Sequence, residues 1–160
     1  MAYTIQSPLL GAQPIAVTDT VQNHPLGTRV FATDPTYGAG EFVYLKVVAS
    51  TAVGDSVIYD QYAATTTRAV AGSRGPVGVA MSANVASQSG WYQVSGSAVV
   101  NCGTVSANAP LFVTSTAGTL DDAVVTGDKI DGFTSKTANG TPSAGKLVAQ
   151  ICHGSLNANG

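Results

Sequence analysis

Charged side chains are scarce in this chain. Only 10% of its 160 residues are charged, against about 25% in an ordinary soluble domain, and the net charge is −2. That balance excludes the basic stripe that an electrostatic nucleic-acid surface needs. No apolar run approaches the ~20 residues of a membrane-spanning helix, so neither nucleic acid nor membrane is expected as a partner. The opening residues, Met1-Ala2-Tyr3-Thr4-Ile5-Gln6, lack the basic and apolar segments of a signal peptide, which points to synthesis in the cytoplasm. Cys102 and Cys152 are the two cysteines. Buried thiols are the expectation in a reducing compartment, with a disulfide between them as the alternative.

The groups that move protons are just as few. There are two histidines, and Glu41 is the single glutamate. His24 stands beside Pro25, where a solvated or capping role is expected. His153 follows Cys152 directly, and neighbours on a regular strand point to opposite faces, so the two form no dyad there. Asp121, Asp122, Asp128 and Asp131 make the densest acidic stretch, without the spacing of a calcium loop. No glycine-rich element leads into a helix as a phosphate loop does. The expectation is no enzyme: no catalytic, cofactor-binding or metal residues, and no cofactor.

What the chain has is strand grammar. Apolar and β-branched runs fall at 41–49, 56–61, 67–70, 77–81, 91–95, 98–102, 111–115, 123–125, 130–134 and 146–152. Turn residues such as Gly54-Asp55, Gly72-Ser73, Asn108, Gly127-Asp128 and Asn139-Gly140 separate them. Many short strands predict an all-β fold, a small barrel or sandwich of antiparallel strands, over residues 38–154. The order of turns and strands also returns after about 54 residues, so 53–96 and 107–154 read as an internal duplication. Val53-Gly54-Asp55-Ser56-Val57 lies over Ala107-Asn108-Ala109-Pro110-Leu111, and Gly78 over Gly132.

Residues 1–37 carry Pro8, Pro14, Pro25 and Pro35 without sustained periodicity, which favours an extended path. Yet Tyr3, Ile5, Leu9, Leu10, Ile15, Val17 and Val21 are too many apolar groups to leave in water. Two readings follow: a stretch packed on its own barrel, or an arm laid over a neighbouring subunit, with those residues as its contacts. Residues 155–160 read as a flexible tail. Trp91 and Tyr92 head one strand. Alternation places Trp91 inside and leaves Tyr92 as a candidate contact with a partner or a second copy.

The stretches Val53-Gly54-Asp55-Ser56-Val57, Gly75-Pro76-Val77-Gly78-Val79-Ala80 and Gly90-Trp91-Tyr92-Gln93-Val94-Ser95-Gly96 resemble the small capsid cement (decoration) proteins of tailed bacteriophages. So does the later pair Ala109-Pro110-Leu111-Phe112-Val113 and Ile130-Asp131-Gly132-Phe133. The resemblance covers roughly 40–154. It implies a structural virion protein without enzymatic activity, on the outer surface of the head. It also implies homotrimers whose partner is the major capsid protein. Two alternatives stand beside it: a head-fibre or tail-associated β structural protein, and a carbohydrate-binding β module.

Overall fold

The computed structural model describes residues 4–5 and 14–157. Within them the chain is all-β, without a helix, and forms one large mixed sheet. The strands are β1 (Thr4–Ile5), β2 (Thr18–Asp19), β3 (Arg29–Asp34), β4 (Gly38–Val47), β5 (Ser56–Asp60) and β6 (Thr65–Arg68). They continue as β7 (Gly75–Ala80), β8 (Ser89–Asn101), β9 (Pro110–Val113), β10 (Leu120–Asp121), β11 (Lys129–Ser135) and β12 (Lys146–Leu156).

The pairings close on themselves twice. β4, β6, β5, β7 and β8 form one ring, with β8 returning to β4. β8, β12, β11, β9 and β10 form a second, closed by a bridge from Leu120 to Cys102 just beyond β8. β8 is thirteen residues long and serves both rings. Its first half pairs with β4 and its second half with β12.

The two rings share a register. Tyr59 pairs with Thr66 in the first, and Val113 with Leu120 in the second, 54 residues on. Left-handed turn positions recur at the same spacing, Gly54 with Asn108 and Ala64 with Gly118. β4 and Cys102, just beyond β8, are the parallel neighbours of β6 and β10.

Apolar burial follows the same division. Val43, Leu45, Tyr59, Tyr92 and Val94 fill the first ring. Val100, Leu111, Leu120, Ile130, Leu147 and Ile151 lead the core of the second. A third cluster lies on the other side of β4 and β8, where Ile15, Val30 and Ala32 cover Phe42, Tyr44, Met81 and Trp91. Full burial of an indole of this size contributes roughly 5 kcal/mol of transfer free energy as an upper bound. The described part of the expected arm is therefore sheet and cover for its own chain. β3 pairs with β4 along its whole length, and Asp19 accepts hydrogen bonds from Tyr44 Oη and, at 2.8 Å, from Asn23 Nδ2. Pro14, Pro25 and Pro35 stand outside the strands, so they do not interrupt this ladder.

Candidate interaction surface

A row of side chains crosses four strands of the sheet. Phe31 pairs with Glu41, Glu41 with Ser95, and Ser95 with Cys152, so all four share a face. Phe31 is 64% exposed at the end of that row. Glu41 is its electrostatic centre. Arg29 Nη1 donates to Glu41 Oε1 at 2.7 Å, and His153 Nε2 lies 3.0 Å from Glu41 Oε2. The Glu41 carboxylate holds the Arg29 guanidinium above its ordinary pKa.

His153 reaches Glu41 across β8 because β12 bulges there. Asp131 pairs with Ser155 and Phe133 with Ile151, so Cys152, His153 and Gly154 stand against Gly132 alone. His153 takes a φ of 44° within the bulge. Gly132 makes it possible: its φ is +86°, and a Cβ there would sit 2.5 Å from the Cys152 carbonyl oxygen. The bulge breaks the alternation that sequence reasoning assumed, and Cys152 and His153 are both exposed. Cys152 is thus no buried thiol. Cys102 is one, unpaired, with its pKa raised by burial.

The expected contact residues divide sharply. Tyr3, Leu9 and Leu10 lie outside the described residues. Ile5 belongs to β1, where its backbone pairs with Ala32 on the edge strand β3. Ile15 is a core residue of its own chain, Val17 is half-buried, and Val21 is 75% exposed. Tyr92 is no outward contact: it is fully buried, as Trp91 is. Both faces of β8 are covered, so Trp91 enters the cluster under the N-terminal segment and Tyr92 the interior of the first ring. Burial pushes the Tyr92 hydroxyl up to about 12, against the opposing pull of Asn84 Nδ2, which donates to it at 3.5 Å. The signal was the near-continuous apolar run of β4, typical of a strand buried on both faces.

Other candidates disperse into structural tasks. His24 packs edge-on against Tyr44, with ring centroids 5.1 Å apart, and is half-buried rather than solvated. Asp122 accepts the Ser106 N–H at 2.7 Å, which lowers its pKa. Asp128 accepts the Gly72 N–H at 2.9 Å, tying the two rings together. No three His, Cys, Asp or Glu side chains converge as metal ligands among the described residues.

An open groove of about 510 Å³ runs between the β5–β6 hairpin and the start of β7, lined by Ile58, Asp60, Thr65, Arg74 and Pro76, with Tyr62 on its rim. Tyr62 is fully solvent-exposed. Apolar exposure recurs at the far end of the second ring, where Val124 and Val125 follow β10. No protein-family model matches this sequence, and no curated protein is found to be similar to it.

Proposed function

We propose that this chain is a non-enzymatic virion subunit that binds the outer face of a tailed-bacteriophage head and clamps neighbouring major capsid proteins. The supporting observation is the double ring with its N-terminal strand. β1 adds to the edge strand β3 through only two residue pairs, beside the exposed Phe31, on a scaffold whose strands are otherwise cross-tied by pairing. A clamp works by presenting a rigid surface and an edge that neighbouring chains extend. Weak contacts repeated by symmetry then add through effective concentration, and a homotrimer on the head supplies that repetition. Low charge suits a surface whose centre is buried on assembly.

The test is sedimentation of the purified chain with expanded, DNA-free heads built from the major capsid protein encoded alongside it. The full chain, Phe31→Asp and a version starting at residue 14 are compared. Pelleting of the full chain, weakened in both variants, is the expected result. A full chain that stays in the supernatant sinks the proposal.

Tyr62 at the rim of the groove favours a second reading, binding of carbohydrate. An exposed aromatic beside Asp60, Gln61 and Arg74 offers a stacking face next to polar groups. Glycan-array binding that Tyr62→Ala abolishes would move the weight to that reading.

A further inference from the structure

Where the two rings meet, an amine, a carboxamide and a carboxylate converge. Lys146 opens β12 and pairs across the ladder with Asn101, the last residue of β8. Lys146 Nζ donates to Asn101 Oδ1 at 2.8 Å and to the Val53 carbonyl at 3.1 Å. Asn101 Nδ2 donates in turn to Asp55 Oδ1 at 2.8 Å and to the Val53 carbonyl at 3.2 Å. Asp55 is buried, its other oxygen accepts the Ala52 N–H at 2.8 Å, and Arg68 Nε lies 4.0 Å away.

The loop before β5 closes over this set. Asn101 N–H donates to the Gly54 carbonyl at 2.8 Å. A Cβ on Gly54 would lie 3.0 Å from Asn101 Oδ1 and 3.2 Å from Lys146 Nζ, so glycine lets the backbone lie directly on the pair. Holding an amine against a carboxamide in one fixed geometry replaces a bimolecular encounter by a unimolecular step. The carboxylate sits on the nitrogen that would leave.

We propose that Lys146 and Asn101 join in an intramolecular isopeptide bond, with Asp55 carrying the proton. Neutral Lys146 Nζ, its ammonium proton given to solvent, attacks Asn101 Cγ, forming the Nζ–Cγ bond and a tetrahedral carbon. The new ammonium nitrogen sheds its proton to solvent, and Asp55, protonated from solvent in exchange, delivers a proton to Nδ2, the atom it already faces at 2.8 Å. The Cγ–Nδ2 bond then breaks with its electron pair on nitrogen, and ammonia departs. The product is a secondary amide between the end of β8 and the start of β12. No oxidant, reductant or further reactant enters, and Asp55 ends as it began. The bond closes β9, β10 and β11 into a covalent loop, which restricts the unfolded chain as a disulfide does.

The test is the intact mass of the purified full chain after prolonged incubation, followed by peptide mapping. The expected mass falls short of the sequence by one ammonia, and the map contains a branched peptide joining the segments that hold Asn101 and Lys146. Lys146→Arg keeps the positive charge but restores the full mass and melts at lower temperature. Asp55→Asn slows the loss of ammonia. Asn139-Gly140 and Asn159-Gly160 can also lose ammonia by cyclising on themselves, so a mass deficit that persists in Lys146→Arg overturns the proposal. A wild-type chain that retains its full mass and gives only linear peptides overturns it as well.

Discussion

The first ring and the second are drawn on one plan and filled with different materials. Both run hairpin, crossing strand and long returning strand in the same register. The first encloses Tyr59 and Tyr92 among its aliphatic residues, and its outer wall carries Tyr44 and Trp91 under the N-terminal segment. The second is almost wholly aliphatic apart from Phe133. All six tyrosines of the chain precede Gln93. A tyrosine interior needs hydroxyl partners, and Asn84 Nδ2 supplies one to Tyr92. The rings also differ at their open ends. Lys129 pairs with Phe112 and closes the second, whereas Gly75 and Pro76 turn to β12 and leave the groove beside β5. The shared plan holds the molecule together, and the departures from it create its distinctive surfaces.

The sharpest way to break the comparison is to empty each core in turn. Trp91→Ala should cost ~4 kcal/mol and Ile151→Ala ~3 kcal/mol in urea unfolding. Only the first should also speed hydrogen exchange in the N-terminal segment, because only Trp91 lies beneath it. Equal loss of protection in both variants would mean that the segment is not tied to the first ring.

Alkaline pH separates the rings next. Tyr92 is raised from 10.0 to about 12 and Tyr44 is raised by burial and by its bond to Asp19, so the folded state favours the neutral phenols. That contribution is intact below about pH 10 and is lost as pH rises through the folded values. For Tyr92 the shift corresponds to roughly 3 kcal/mol. Stability measured against pH should fall between pH 10 and about 12, and Tyr92→Phe should flatten the fall.

Backbone strain gives a smaller effect confined to the second ring. Gly132→Ala should cost ~2 kcal/mol in denaturant melts, from its positive φ and the Cys152 carbonyl in its way. It should also release His153 from Glu41, visible as a change in the imidazole NMR signals. The smallest effect comes from His153→Gln, at under about 1 kcal/mol, because the pair is half in solvent and screened by salt.

Most of the strand plan was legible in the sequence. The runs at 56–61, 77–81 and 130–134 correspond to β5, β7 and β11, because turn residues bound them on both sides. The runs at 91–95 and 98–102 proved to be one strand. Gly96 has the positive φ of a breaker, yet it pairs with Gly40 of β4 and Ile151 of β12, and pairing continues past it. That single continuity makes β8 common to both rings. β2 and β3 were missed because widely spaced prolines masked a six-residue alternation from Arg29 to Asp34. The surface row was less legible still. Glu41, Arg29 and His153 meet only through strand pairing and a bulge, and neither leaves a local signature in the chain. Tyr92 was misplaced because alternation names two faces without saying whether both are covered.

The most direct test of the clamp is a cryo-electron microscopy reconstruction of expanded heads incubated with the purified chain, compared with heads alone. The account predicts added two-lobed density on the outer surface, repeated at symmetric positions between neighbouring capsid subunits, with the β1–β3 edge and Phe31 at the contact. Heads with no added density, or density that contacts a single capsid subunit, would contradict it.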